Sequence, residues 1–153
     1  MLSFLGSFEY SVDPKGRVSV PSIFRTKIKT QEGDQFVENE HFVIQYDSRG
    51  CLNVYNTESW IQKQEKYAKL DDDDVNVKHR ISKFLRGAQH VYTDTTGRIT
   101  VPQHLFEKAQ LKKNVTIQGR NNWFEIWNPE AYIEYDRLLD SFDVGSNPDK
   151  KSG

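Results

Sequence analysis

The sequence has almost no cysteine and no long apolar run. One of its 153 residues is a cysteine, Cys51, which excludes an internal disulfide framework and fits a reducing compartment. No stretch reaches the roughly 20 consecutive apolar residues that a membrane-spanning helix needs. The first ten residues also lack the basic leader of a secretory signal. We therefore expect a cytoplasmic protein with no membrane segment.

The patterns of the common enzyme and metal sites are absent as well. None of the four histidines has a zinc-ligand spacing or an accompanying cysteine pair. There is no glycine-rich phosphate loop, nucleophile elbow or pair of catalytic carboxylates. Four adjacent aspartates, Asp71 to Asp74, are expected to begin a solvated helix, because neighbouring carboxylates in one run should not all converge on an ion. The sequence thus predicts no metal, no cofactor and no enzymatic activity.

Charge is nearly balanced overall but segregated along the chain. The net charge is −1, with 36% hydrophobic and 28% charged residues, a composition typical of soluble globular proteins. Residues 10–30 and residues 76–100 each carry five basic side chains against one acidic, whereas residues 121–153 carry three against seven. Because phosphate binding depends on the local field, the neutral average does not exclude a nucleic-acid partner.

The most informative feature of the sequence is an internal repeat. Residues 13–21 read DPKGRVSVP and residues 94–102 read DTTGRITVP, with five identities at a shift of 81. Residues 52–60, LNVYNTESW, resemble residues 124–132, FEIWNPEAY, at a shift of 72. We interpret this order as two copies of one unit. The difference in shift places nine additional residues in the first copy, around positions 30–39.

Each repeated segment predicts a tight turn. Asp13 stands at the first position of a type I turn, Pro14 at the second and Gly16 at the fourth. A glycine in the left-handed region lets such a turn join two twisted antiparallel strands, so we expect a local hairpin here. Asp94 and Gly97 mark the equivalent turn in the second copy.

The following residues predict the remaining elements of each copy. Val18 and Val20 alternate with polar residues, and Pro21 ends that strand. A short helical face is expected from Ile23, Phe24 and Ile28 in the first copy, and from Leu105, Phe106 and Ala109 in the second. Second hairpins are expected over 41–46 with 52–55 and over 115–118 with 123–127, followed by closing helices that reach about residues 70 and 142.

These elements predict an α+β fold, mainly β. We assign the first repeat to residues 1–70, an acidic linker and basic helix to 71–86, the second repeat to 87–142, and a disordered tail to 143–153.

The Asp-x-x-x-Arg spacing places a carboxylate and a guanidinium across each turn. The carboxylate of Asp13 or Asp94 caps turn N–H groups or pairs with Arg17 or Arg98. The guanidinium fork can contact a guanine edge or clamp a phosphate, and two such turns packed together would form a basic, saddle-like surface. The alternative is an ordinary surface ion pair of small energetic value.

The two Asp-x-x-Gly-Arg-(Val/Ile)-(Ser/Thr)-Val-Pro segments resemble those of the MraZ family, in the AbrB-like swapped-hairpin superfamily. The resemblance covers about residues 1–142. It implies two pseudo-symmetric hairpin units interlocked into one compact, β-barrel-like domain. It also implies a homo-oligomeric ring on double-stranded DNA at the nucleoid. That ring would regulate transcription of the division and cell-wall gene cluster through tandem short G-rich boxes before its own operon.

Carried over by position, the resemblance assigns DNA binding to Lys15, Arg17 and Arg98. It assigns turn stabilisation to Asp13, Gly16, Asp94 and Gly97. Thr96 stands where the first copy has Lys15, so we expect the first copy to read bases and Arg98 to support it or contact phosphate.

A protein-interaction function remains the alternative, because the same superfamily includes antitoxins whose extensions sequester a partner. Two fused units and a short polar tail favour the regulator.

Overall fold

The computed structural model describes residues 3–142. The predicted disordered tail, residues 143–153, lies outside the described residues. In chain order the elements are β1 (Ser7–Ser11), β2 (Arg17–Ser19), a 3-10 turn (Ser22–Phe24), β3 (Lys27–Thr30), β4 (Gly33–Phe36), β5 (His41–Tyr46), β6 (Leu52–Asn56), α1 (Thr57–Ala68), α2 (Val75–Leu85), β7 (Gln89–Tyr92), β8 (Arg98–Thr100), α3 (Gln103–Lys108), β9 (Asn114–Gly119), β10 (Phe124–Trp127) and α4 (Pro129–Leu139). The fold is therefore mixed α and β, with more strands than helices.

A six-stranded antiparallel sheet forms the centre of the domain, in the order β1-β9-β10-β6-β5-β7. The first strand of each copy pairs with the other copy: β1 lies against β9, and β7 lies against β5. β2 and β8 form a separate two-stranded ribbon. The expectation of a local hairpin at each turn is therefore wrong, because the strands on either side of the turn diverge into different sheets.

The sheet is open, so the expectation of a barrel-like domain is also wrong. Among residues 3–142, β1 and β7 occupy opposite edges of the sheet and do not pair. Closing a barrel requires its two edge strands to meet. Here the short ribbon covers one face of the sheet and does not extend it.

Both faces of the sheet are covered by apolar side chains. The larger core lies under the ribbon, the 3-10 turn and α3. Its largest members are Phe4, Phe24, Phe42, Phe124, Ile44, Leu52, Ile99, Leu105, Ile117 and Ile126. A smaller cluster on the other face joins Val43, Tyr55, Trp60 and Phe84 beneath α1 and α2. No helix in the described part of the chain is long and apolar enough to cross a membrane.

The additional residues of the first copy form a hairpin. β3 and β4 pair only with each other, from Lys27 opposite Phe36 to Thr30 opposite Gly33. Ile28 therefore lies in a strand and is 52% exposed, so its assignment to a helical face is wrong. The physical reason is that the 3-10 turn lasts three residues and the chain is already extended at Arg25.

The second hairpins and the closing helices are found where the repeat predicts them. β5 pairs with β6, and β9 pairs with β10. Asn56 caps α1 by accepting a hydrogen bond from the Ser59 backbone at 2.8 Å, and Asn128 caps α4 by accepting one from Glu130 at 2.9 Å. This repeated asparagine accounts for the equivalent helix starts, because its side chain satisfies a free N–H of the first turn.

A buried carboxylate lies on the sheet, in β10. Glu125 is fully buried and accepts a hydrogen bond from Arg49. It also accepts hydrogen bonds from Arg120 at 3.0 Å, Trp123 at 3.1 Å and Trp127 at 3.0 Å. Four donors therefore satisfy one carboxylate.

Candidate nucleic-acid interface

The two repeated turns have the same backbone geometry. The carbonyl of Asp13 accepts a hydrogen bond from Gly16 at 2.9 Å, and that of Asp94 accepts one from Gly97 at 3.0 Å. Both glycines have left-handed φ angles, +77° and +83°. This conformation favours glycine because it brings a Cβ too close to the backbone.

Each aspartate also caps its own turn. Asp13 Oδ1 accepts hydrogen bonds from the backbone of Lys15 at 3.0 Å and of Arg17 at 2.8 Å. Asp94 Oδ1 accepts them from Thr96 at 3.0 Å and from Arg98 at 2.9 Å. The second oxygen of each carboxylate remains available for a guanidinium.

The ribbon brings the two turns together. Val18 lies opposite Ile99 at the centre of the β2–β8 pairing. At its ends, Val20 donates to the carbonyl of Gly97 at 2.9 Å and Val101 donates to that of Gly16 at 3.0 Å. Each turn is thus anchored to the strand that leaves the other turn, and the two turns share one surface.

Their side chains form a single four-charge cluster. Arg17 donates to Asp13, and its Nη1 lies 4.0 Å from Asp94 Oδ2. Arg98 donates to Asp94 at 3.1 Å and to Asp13 at 3.3 Å. The arginine side chains are 29% and 30% exposed. Each guanidinium is therefore held in place on one side and accessible on the other, which reduces the ordering cost of binding a ligand.

The carboxylates of the cluster are stabilised in their ionised form. Partial burial opposes ionisation, but hydrogen bonds from the Arg17 backbone and side chain hold the pKa of Asp13 below its usual range. Burial likewise opposes ionisation of Asp94, while hydrogen bonds from the Arg98 backbone and from Thr96 lower its pKa to about 2. At neutral pH the two aspartates balance the two arginines, so any positive excess must come from neighbouring residues.

Lysines supply that excess at the first turn. A groove of about 670 Å³ beside the turn is lined by Lys15, Lys112 and Lys113, and all three are exposed. The Val12 backbone donates to the carbonyl of Lys113 at 2.7 Å, which fixes the lysine pair next to the turn. Sequence reasoning missed Lys112 and Lys113 because they belong to the other copy. The only sequence feature that marks them is a pair of adjacent lysines directly before a strand.

An arginine lies on the second turn. A Cβ added to Gly97 would clash with the guanidinium of Arg25, whereas a Cβ on Gly16 would meet only the Val101 carbonyl, at 3.8 Å. Arg25 is therefore in direct contact with the second turn. Sequence reasoning did not assign it, because the two residues are far apart in the chain.

The two glycines provide a matched pair of substitutions. We expect Gly16→Ala and Gly97→Ala each to lower the free energy of unfolding by roughly 1–2 kcal/mol, because both force alanine into a left-handed conformation. The free energy of unfolding of Gly97→Ala should fall by about a further 0.5–1 kcal/mol, because the added methyl group would displace Arg25 from the Phe36 ring. Urea unfolding of both variants, with and without Arg25→Ala, measures this difference. An additional loss that persists in the Arg25→Ala background would contradict the assignment.

The aspartate run differs from its predicted geometry. Ligand atoms of Asp71, Asp72 and Asp73 all lie within 4.8 Å of one another, so three of the four carboxylates are closer together than expected. All three side chains are exposed, and Asp74 caps α2 by accepting from Asn76 at 2.7 Å. Exposed acidic groups of this kind are common without an ion, and the run is explained by its position before a helix.

Comparisons with known proteins agree with the repeat. A family model described as "MraZ protein, putative antitoxin-like" matches residues 3–78 and 84–149. A protein of Clostridium acetobutylicum named transcriptional regulator MraZ is 31% identical over 149 residues, which cover 97% of this chain and 96% of that protein. Proteins of the same name from Caldanaerobacter subterraneus subsp. tengcongensis and Acetivibrio thermocellus are 32% and 34% identical, and the matches cover 89% and 86% of this chain and 88% and 85% of theirs. The chain therefore belongs to the MraZ family.

Proposed function

We propose that this protein is a sequence-specific DNA-binding regulator of transcription, and not an enzyme, that binds duplex DNA through its paired turns. The observation that supports this most is the ion cluster of Arg17 and Arg98, in which two guanidinium groups are positioned on one surface with part of each exposed. Such forks match the O6 and N7 atoms of guanine or two phosphate oxygens. The relatives are named transcriptional regulators.

The two turns have different roles in DNA binding. Lys15 is exposed at the tip of the first turn, whereas Thr96 at the second is tied to Asp94 by a hydrogen bond of 2.9 Å. Lys15 and Arg17 therefore read base edges, and Arg98 supports Arg17 or contacts phosphate. Asp13, Gly16, Asp94 and Gly97 hold the turns in shape.

The architecture is that of two swapped-hairpin units produced by duplication. The exchange of β1 and β7 between the copies supports this assignment. So does the match of the family model in two segments. The units span residues 1–70 and 87–142 and are joined by the acidic linker and α2.

The protein assembles as a homo-oligomeric ring. α4 exposes Ile133 and Leu138 among acidic side chains, while α2 exposes Leu85 between Lys83 and Arg86. These surfaces are complementary in charge and both carry apolar groups. Contact between α4 of one subunit and α2 of the next would extend head to tail and close into a ring.

The operator consists of short G-rich boxes in tandem before the protein's own operon, within the division and cell-wall gene cluster. A guanidinium fork suits guanine in the major groove, and repeated boxes suit repeated subunits. The regulator then acts in the cytoplasm, on the nucleoid.

Fluorescence anisotropy with the DNA that precedes the protein's own gene tests this function. We expect Arg17→Ala to weaken binding by about five- to 150-fold, the value of one bidentate contact to guanine of about 1–3 kcal/mol. The matched control is Lys69→Ala at the end of α1, an exposed lysine on the face of the sheet away from the ribbon, which should leave binding unchanged. Thermal unfolding of each variant checks that the fold is retained.

Two outcomes would change the proposal. Binding that survives Arg17→Ala but is lost in Arg98→Ala would reverse the roles of the two turns. Binding that ignores both substitutions and tolerates scrambling of the boxes would be non-specific, and would favour the antitoxin-like interaction module.

A further inference from the structure

We propose that Arg25 and Lys27, at the start of the β3–β4 hairpin, form a second contact to the phosphate backbone of duplex DNA, beside the second turn. This inference rests on the proposed DNA-binding function and names a part of the interface that the repeated motif does not contain. The hairpin is the additional segment of the first copy, and through Arg25 it lies against the turn of the second copy.

Both cations are held over one aromatic ring. The Arg25 guanidinium lies 3.9 Å from the centre of the Phe36 ring, and the Lys27 ammonium lies 4.9 Å from it. The ring faces both groups and fixes their orientation without neutralising their charge. The contact thus leaves the cations available to an anion.

Neither cation has an acidic partner among residues 3–142. Arg25 Nε is buried and finds no hydrogen-bond acceptor within that range. The terminal Nη groups of Arg25 are not buried in this way and make no hydrogen bond within the described range, and such N–H groups bind phosphate oxygens bidentately. The arrangement therefore fits an anionic ligand better than it fits the protein alone.

The pseudo-symmetry of the chain explains why a cation is needed at this place. Position 25 corresponds to Phe106, and position 96 to Lys15, at the shift of 81 residues. The first turn has Lys15 in its own loop and Phe106 lining the groove beside it. The second turn has Thr96 in its loop and Arg25 beside it. Each turn thus has at least one basic neighbour beyond the arginine of the motif.

The ligand is the DNA backbone and not a base edge. Arg25 lies between the second turn and the Phe36 ring, which restrict its reach into a groove, whereas Arg17 and Arg98 lie in the cluster shared by both turns. Contacts at the margin of such an interface set position and affinity and carry no sequence information. Salt dependence is the signature of this class of contact.

The test compares two duplexes of equal length, the DNA that precedes the protein's own gene and a random sequence, at several salt concentrations. We expect Arg25→Gln to weaken binding of both by about eightfold at 0.1 M salt, and to reduce the slope of log K against log salt by about 0.9, as for one lost phosphate contact. Arg25→Lys keeps the charge and should restore the slope, which a purely structural role would not do. Lys69→Gln is the matched control and should equal wild type.

Lys27→Gln provides an independent variant, because Lys27 is exposed and its replacement should not disturb the fold. We expect the slope of log K against log salt to be reduced in Lys27→Gln, as in Arg25→Gln. Slopes equal to that of the Lys69→Gln control for both variants, in protein that still binds with a salt dependence, overturn the proposal and leave the proposed function intact. Wild-type protein that binds neither duplex overturns both.

Discussion

Replacing Glu125 with alanine is expected to lower the free energy of unfolding by about 3–5 kcal/mol, the cost of leaving buried charges without their partner. Glu125 is fully buried and contacts Arg49 and Arg120. Burial opposes the charged form of Arg49, but hydrogen bonds from its side chain to Asp47 and Glu125 raise its pKa above the usual value. Because a guanidinium does not lose its proton in a protein, removal of the carboxylate leaves positive charge without its buried partner.

Arg120 should suffer most from this substitution. Arg49 keeps Asp47, whose carboxylate accepts its hydrogen bonds at 2.7 and 3.1 Å. Arg120 has no other acidic partner among the described residues, and its Nη2 already finds no acceptor there. Glu125→Gln keeps the side-chain shape and one oxygen acceptor, so its free energy of unfolding should lie between those of wild type and Glu125→Ala.

Urea unfolding followed by tryptophan fluorescence measures these losses. The matched control is Glu134→Ala, a glutamate on α4 that is 70% exposed and lies 3.9 Å from Arg137. Its effect should stay within about 0.5 kcal/mol, as is usual for surface ion pairs. A loss below about 1 kcal/mol for Glu125→Ala would mean that water or neighbouring groups replace the carboxylate at little cost.

Local features of the fold were predictable because their causes lie within a few residues. The tight turn at Asp13–Gly16 follows from the order of aspartate, proline and glycine. The starts of α1 and α4 follow from a repeated asparagine that caps each helix. The alternation of Val18 and Val20 marks the buried side of a strand, and both residues are buried.

Strand pairing was not predictable from the same patterns. β2 is three residues long, and its partner β8 lies about 80 positions further along the chain. Alternation identifies which side of a strand is buried but not which strand lies next to it. The same limit explains the errors of the local hairpin and the barrel, since both depend on partners that β1 and β7 find across the two copies.

The residues of the candidate site were likewise predictable only in part. The motif identified Asp13, Arg17, Asp94 and Arg98 as residues of interest, and the structure brings all four into one cluster. It gave no indication of Arg25, Lys112 and Lys113, which reach the turns from other parts of the chain. The aspartates also neutralise the motif arginines, so the positive field of the surface depends on these distant residues.

Because the aspartates neutralise the motif arginines, the positive field of one subunit is weak. The second prediction therefore concerns the number of DNA boxes that the protein binds together. One subunit offers few contacts, so its affinity for a single box should be modest. Subunits joined in the proposed ring would bind further boxes at high effective concentration, which can raise affinity by about 10²–10⁴ without any new contact. We therefore expect scrambling of all boxes but one to reduce the affinity of wild-type protein by about that factor.

A variant that separates the subunits distinguishes avidity from the quality of a single box. Ile133 on α4 is 53% exposed, so Ile133→Asp should leave the subunit folded while weakening the proposed contact with α2. Light scattering should then report a smaller particle, and anisotropy should give the same low affinity for one box and for several. If wild-type protein is monomeric and binds one box as tightly as the whole region, multivalency contributes nothing, and the affinity must come entirely from the paired turns and their basic neighbours.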